Sequence, residues 1–224
     1  MTRHAFAAIA LVSVAAAPIA AQQTPDLAPF MIPDRAAEIA LARTAAAPAI
    51  SDSATVLVLT RTGFVEAAHG TNGFTCVVQR SWAGTIGDPD FWNPRVRGPS
   101  CLNPPATRTV LPEMLKRAEW IMAGVNTADI ATRTTAAYAS GEFPTPAPGA
   151  MIYMLSDDQY LQDGMPHHWK PHLMFYYDMA MPGATWGAGG FKSTIIDASA
   201  VDPHAHVRLL LIPVQQWSDG KPAM

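Results

Sequence analysis

Five of the seven histidines in the 224-residue chain lie beyond residue 165: His167, His168, His172, His204 and His206. They fall in two clusters. His167-His168-Trp169-Lys170-Pro171-His172 leads into one apolar run, and Asp202-Pro203-His204-Ala205-His206 leads into the last one. On an extended chain residues two apart point to the same side, so His204 and His206 can offer two imidazoles to one ion. His168 or His172 completes the set if the two strands are neighbours. An imidazole-rich set favours Zn2+ or Cu, with Asp157, Asp158, Asp163 and Asp202 as candidate oxygen ligands. Against this, HExxH is absent, Lys170 repels a cation, and loop imidazoles beside prolines commonly serve backbone carbonyls. Methionines 151, 154, 165, 174, 179 and 181 are soft enough for Cu(I), but most stand in apolar runs where Met fills gaps in a core.

Other catalytic templates fail. No Gly-x-Ser-x-Gly elbow is present to expose a hydrolase serine. Gly187-Ala188-Gly189-Gly190-Phe191-Lys192-Ser193 approaches a phosphate loop but carries Phe191 where a glycine is required, and reads as a turn into a strand. Glu66, Glu113, Glu119 and Glu142 form an acid/base pair only if the fold brings two together. Trp82, Trp92, Trp169 and Trp186 sit in loop-type sequence, where an indole either stacks on a ligand or packs as a lid.

The elements that must position these residues read as α+β. Pro33-Asp34 opens an Ala-rich helix to about Thr44, ended by Pro48. Thr55 to Thr60 is a β-branched and aliphatic strand. Phe64 to His69 and Phe74 to Gln79 follow, joined in expectation as a hairpin through Gly70-Thr71-Asn72-Gly73, because Asn-Gly accepts positive φ. Five prolines and three glycines between 81 and 106 argue for irregular chain. Leu111, Leu115, Ala118, Met122 and Val125 recur at helical spacing, with Pro112 suited to a first turn. Asn126 caps a further helix that Gly141 and Pro144 end. Strands are expected over Met151–Leu155, His172–Met179, Ser193–Ile196 and Val207–Val214. The sum is one mainly antiparallel sheet with two or three flanking helices and long Pro-rich loops, forming a single domain over 34–224.

Met1-Thr2-Arg3-His4 followed by uncharged Ala5 to Ala17 has the form of a secretory signal, with cleavage expected after Ala21. Thirteen apolar residues fall short of the roughly 20 that span a bilayer, and no cysteine follows to carry a lipid. Residues 22–33, with Pro25, Pro29 and Pro33, form an extended lead-in. Losing residues 1–21 removes Arg3 and takes the formal charge from −3 to −4, a balance that speaks against nucleic acid. The 20 prolines are about twice the usual share, and charged residues at 15% are well below the roughly 25% norm. In an oxidising compartment Cys76 and Cys101 pair by default, a loop closure worth about 3.5 kcal/mol. Asn72-Gly73-Phe74-Thr75-Cys76-Val77-Val78, the Leu111-Pro112 helix and Pro171-His172-Leu173-Met174-Phe175-Tyr176 resemble features of exported bacterial proteins of unassigned function, a resemblance that implies no particular activity. The expectation is a periplasmic or extracellular module, without a transmembrane segment once the signal is removed, that binds a small molecule or a protein partner. The alternative is a metal-binding protein or metal-dependent enzyme built on His168, His172, His204 and His206.

Overall fold

The computed structural model describes residues 24–163, 169–199 and 206–223. Asp34, extended, accepts from the Ala36 amide at 2.8 Å and starts α1 (Arg35–Arg43); Pro48 opens the short α2 (Pro48–Ser51) rather than merely ending α1. β1 (Thr55–Thr60) is apolar on both parities because both its faces are covered. It turns through Arg61-Thr62 into β2 (Gly63–Ala68), and Gly63 takes φ +117° at the corner. β3 (Thr75–Gln79) follows, then β4 (Gly98–Leu102), α3 (Pro104–Thr109), α4 (Leu111–Met122) and α5 (Thr127–Ser140). Asn126 caps α5 by accepting from the Asp129 amide, and left-handed Gly141 ends it. The remaining strands are β5 (Met151–Met154), β6 (His172–Asp178), β7 (Ile196–Asp197) and β8 (Val207–Pro213).

All eight strands join one sheet in the order β2-β1-β3-β4-β5-β6-β8-β7. The α+β reading holds, but the sheet is mixed rather than mainly antiparallel, because β1 and β3 run parallel. This corrects the expected hairpin. β2 pairs with β1, and β3 lies on the far side of β1. Asn72-Gly73 does turn, with Gly73 at φ +77°, but the segment is captured by the residues before β1. The Thr71 amide donates to Ser53 O at 2.8 Å, and Asn72 Nδ2 donates to Ile50 O at 2.7 Å. Gly70 passes so close to Thr55 that a Cβ there would lie 2.1 Å from its amide nitrogen. These contacts carry the chain around the start of β1 and set β3 parallel to it.

The span 81–106 also departs from expectation, since β4 and the start of α3 lie within it. β4 is buried along its whole length. β5 pairs with β4 only at Cys101 and Leu102, so Pro99 sits where a missing amide disrupts little. Among the described residues there are five α-helices, of which α2 and α3 span only four and six residues.

The two faces of the sheet differ. Ala42, Ala45 and Ala46 of α1 and its C-terminal turn pack against Val56, Cys76, Val78 and Cys101, small residues that allow close approach. On the other face Ala106, Val110 and Leu111 cover Leu57, Val77, Leu102 and Ile152. A third cluster, with Phe30, Leu59, Trp82, Phe91 and Ile121, closes the β1 end and seats the lead-in through Phe30, whose ring lies 4.8 Å from that of Trp82. Cys76 and Cys101 are ladder partners on β3 and β4 and lie at disulfide distance.

Candidate functional site

On the face covered by α3 and α4, the helices leave a groove that runs from the ends of β3, β4 and β5 across β6 and β8. Two adjoining cavities of about 220 and 310 Å³ occupy it, and share Gln79, Arg80, Ala83, Gly84, Tyr176 and Leu209 in their walls. The strand period places the groove residues. His172, Met174 and Tyr176 alternate on β6 and so share a face, and Leu209 and Leu211 do the same on β8. β3 ends in the groove with Gln79. From above, Glu113 and Arg117 of α4 stand four residues apart on one helix face.

The smaller cavity has the polar end. Arg117 Nη2 donates to Glu113 Oε1 at 2.7 Å, and the Tyr138 hydroxyl donates to Glu113 Oε2 at 2.7 Å. Arg117 Nη1 donates to the carbonyls of Trp82 and Gly84, tying that loop to α4. The His206 ring stacks on Tyr138 at 4.8 Å, and its Nε2 lies 3.2 Å from Thr135 Oγ1. Burial, reinforced by the Glu113 carboxylate, pushes the Tyr138 and Tyr176 hydroxyls well above the ordinary tyrosine range, so both remain protonated. The Tyr176 hydroxyl bonds weakly to the Met174 thioether, 3.9 Å away.

The larger cavity is more apolar. His172, 2% exposed, forms part of its wall beside Trp169, whose ring lies 4.3 Å away. Burial lowers the His172 pKa to about 4, against a smaller opposing effect of the Lys170 carbonyl 2.9 Å from Nδ1. Phe191 stands at the mouth with 68% of its surface exposed.

Of the four histidines considered for a metal, His172 and His206 are described; His168 and His204, with His167 and Asp202, lie outside the described residues. β6 and β8 are neighbours, as the metal reading requires, but they run antiparallel. His172 pairs with Pro213, and Asp178 with Val207. His172 and His206 therefore stand at opposite ends of the ladder, about 20 Å apart at about 3.4 Å per residue. One ion bound at about 2.1 Å does not reach both. Among the described residues no three His, Cys, Asp or Glu side chains gather as a metal site. Asp163 is engaged by Tyr160 and Arg95. Of Glu66, Glu113, Glu119 and Glu142, Glu113 borders the groove, and Glu66 and Glu119 pair at the surface with His69 and Lys116. Trp82 is buried, whereas Trp186 is 51% exposed. The glycine-rich segment turns into β7, with the Gly189 amide donating to Ile195 O at 3.0 Å.

Gln79, Arg117 and Tyr176 belong to no chemical motif in the sequence. The Glu113/Arg117 spacing was the one signal available for the polar end. No family model, no curated protein and no solved structure matches the chain.

Proposed function

We propose that this chain is an exported module that binds a small molecule in the groove between the open sheet face and the Trp82–Gly84 and Phe191 segments. The observation that carries the reading is the pair of adjoining cavities, about 220 and 310 Å³, with apolar walls and a few polar groups at defined positions. Such a lining suits a specific ligand: apolar walls supply burial and the few polar atoms set orientation. Export is supported by the basic and apolar start of the sequence and by Cys76 and Cys101 at disulfide distance. The test is a thermal-shift screen of uncharged and charged metabolites, repeated on Phe191→Ala and Met174→Trp. Ligands of the groove raise the melting temperature of the parent and lose that effect in Met174→Trp, where the introduced indole fills the larger cavity. Hits that survive both substitutions would remove the groove from the reading, and turnover in a broad hydrolase and oxidase screen would replace binding by catalysis.

A further inference from the structure

Hydrogen bonds around the groove determine which of its atoms are donors and which are acceptors. His172 Nδ1 lies 2.9 Å from the Lys170 carbonyl, which only accepts, so Nδ1 carries the ring proton. The buried ring stays neutral, and Nε2 is left as a bare acceptor with no partner among the described residues. At Gln79 a chain of bonds sets the amide. Ser100 Oγ donates to Gly98 O at 3.0 Å and therefore accepts from Gln79 Nε2 at 2.7 Å, which leaves Gln79 Oε1 as the open acceptor. The Tyr176 hydroxyl, bordering both cavities, has only the distant Met174 sulfur. The cations nearby are committed. Arg117 serves Glu113 and two carbonyls, and Arg80 serves Glu38, Phe30 O and Val78 O.

We propose that the groove selects an uncharged, largely apolar molecule bearing hydroxyl or N–H groups, which donates hydrogen bonds to His172 Nε2 and Gln79 Oε1, and that it disfavours carboxylates and phosphates. The inference rests on the groove being the binding site and names its ligand class. Among the described residues an anion would face two acceptors and cations already held by Glu38, Glu113 and backbone carbonyls, with the Tyr176 hydroxyl as a neutral donor, a mismatch that leaves buried polar groups unpaired.

Toluene, p-cresol and p-toluate share a ring and a methyl group and differ in the donor and the charge, so they isolate the effect. Each is titrated against the disulfide-bonded protein, with amide chemical shifts of groove residues as readout. p-Cresol is expected to bind about tenfold tighter than toluene, the worth of one well-made bond to a buried acceptor, and p-toluate to bind more weakly than either. His172→Phe should bring p-cresol down to the toluene affinity while toluene is retained. Gln79→Met, at a half-buried position, tests the second acceptor if the first variant fails to fold. Equal affinity for toluene and p-cresol, or a preference for p-toluate, overturns the donor inference and leaves the groove standing. Failure of all three to shift groove amides overturns the groove reading itself. Stoichiometric Cu(I) uptake that displaces p-cresol and is lost in His172→Phe would make Nε2 a metal ligand and overturn the inference in a third way.

Discussion

His172 shows how burial turns a titratable side chain into a fixed acceptor. Folded, the ring resists protonation until about pH 4; unfolded, it takes a proton near 6.5. Between those values the unfolded chain binds more protons, so stability falls as pH drops from 6.5 to 4 and is indifferent to this group outside that window. The full effect is about 3 kcal/mol, at about 1.36 kcal/mol per pKa unit. Urea unfolding of wild type and His172→Gln at about pH 7 and about pH 4.5 checks it: the variant should lose less stability on acidification. Equal losses would show that His172 does not govern the acid limb. Two residues away, Met174 shares the same wall and packs, at 7% exposure, in the core cluster with Ile152 and Leu211.

At the level of elements, α1 is joined to the sheet by a buried ion pair as well as by alanines. Arg80 Nη2 donates to Glu38 Oε1 at 2.8 Å, with both side chains almost wholly buried, and Arg80 Nε donates to Phe30 O of the lead-in at 2.7 Å. Burial lowers the Arg80 pKa, and Glu38 opposes that shift. Removing one partner strands the other, so Glu38→Leu should cost about 3 to 5 kcal/mol, whereas Glu38→Leu with Arg80→Met should recover most of it. Chemical denaturation of the single and double variants decides; a double variant as unstable as the single would mean the pair itself stabilises. The crossover from β2 to β3 gives a second expectation. Gly70→Ala places a methyl against the Thr55 backbone and should cost about 2 kcal/mol or more. The same substitution at Gly190, where no atom stands within 4 Å, should cost little. The hairpin expected at this crossover failed for a physical reason: local turn chemistry gives a bend, but the partner of each strand depends on bonds to Ser53 and Ile50, which no local window contains.

For the whole molecule, Cys76 and Cys101 stand at disulfide distance on neighbouring strands at the centre of the sheet, at the two ends of the 77–100 excursion. Reduction should lower the unfolding free energy by about 3.5 kcal/mol, read as a shift in urea midpoint with and without reductant. An unchanged midpoint would mean that the denatured chain gains little freedom. Elemental analysis of the protein purified without a histidine tag addresses the metal alternative, and the expected outcome is less than stoichiometric Zn or Cu. A full equivalent of either would direct attention to His168 and His204 together with one of His172 and His206.

Local sequence was sufficient for those features whose causes are local. Asp34 and Asn126 cap helices with their own side chains, Gly141 ends one in the left-handed region, and β1, β6 and β8 follow from runs of β-branched and aliphatic residues. The pairing of Cys76 with Cys101 followed from there being only two cysteines. The tertiary structure alone decided which strands are neighbours, that Pro99 belongs to a central strand, and that His172 and His206 stand at opposite ends of one ladder. It alone also gathered Gln79, Glu113, Arg117 and Tyr176 around one groove. Those outcomes depend on backbone register and on contacts between residues tens of positions apart, and side-chain type and spacing along the chain carry no direct record of either.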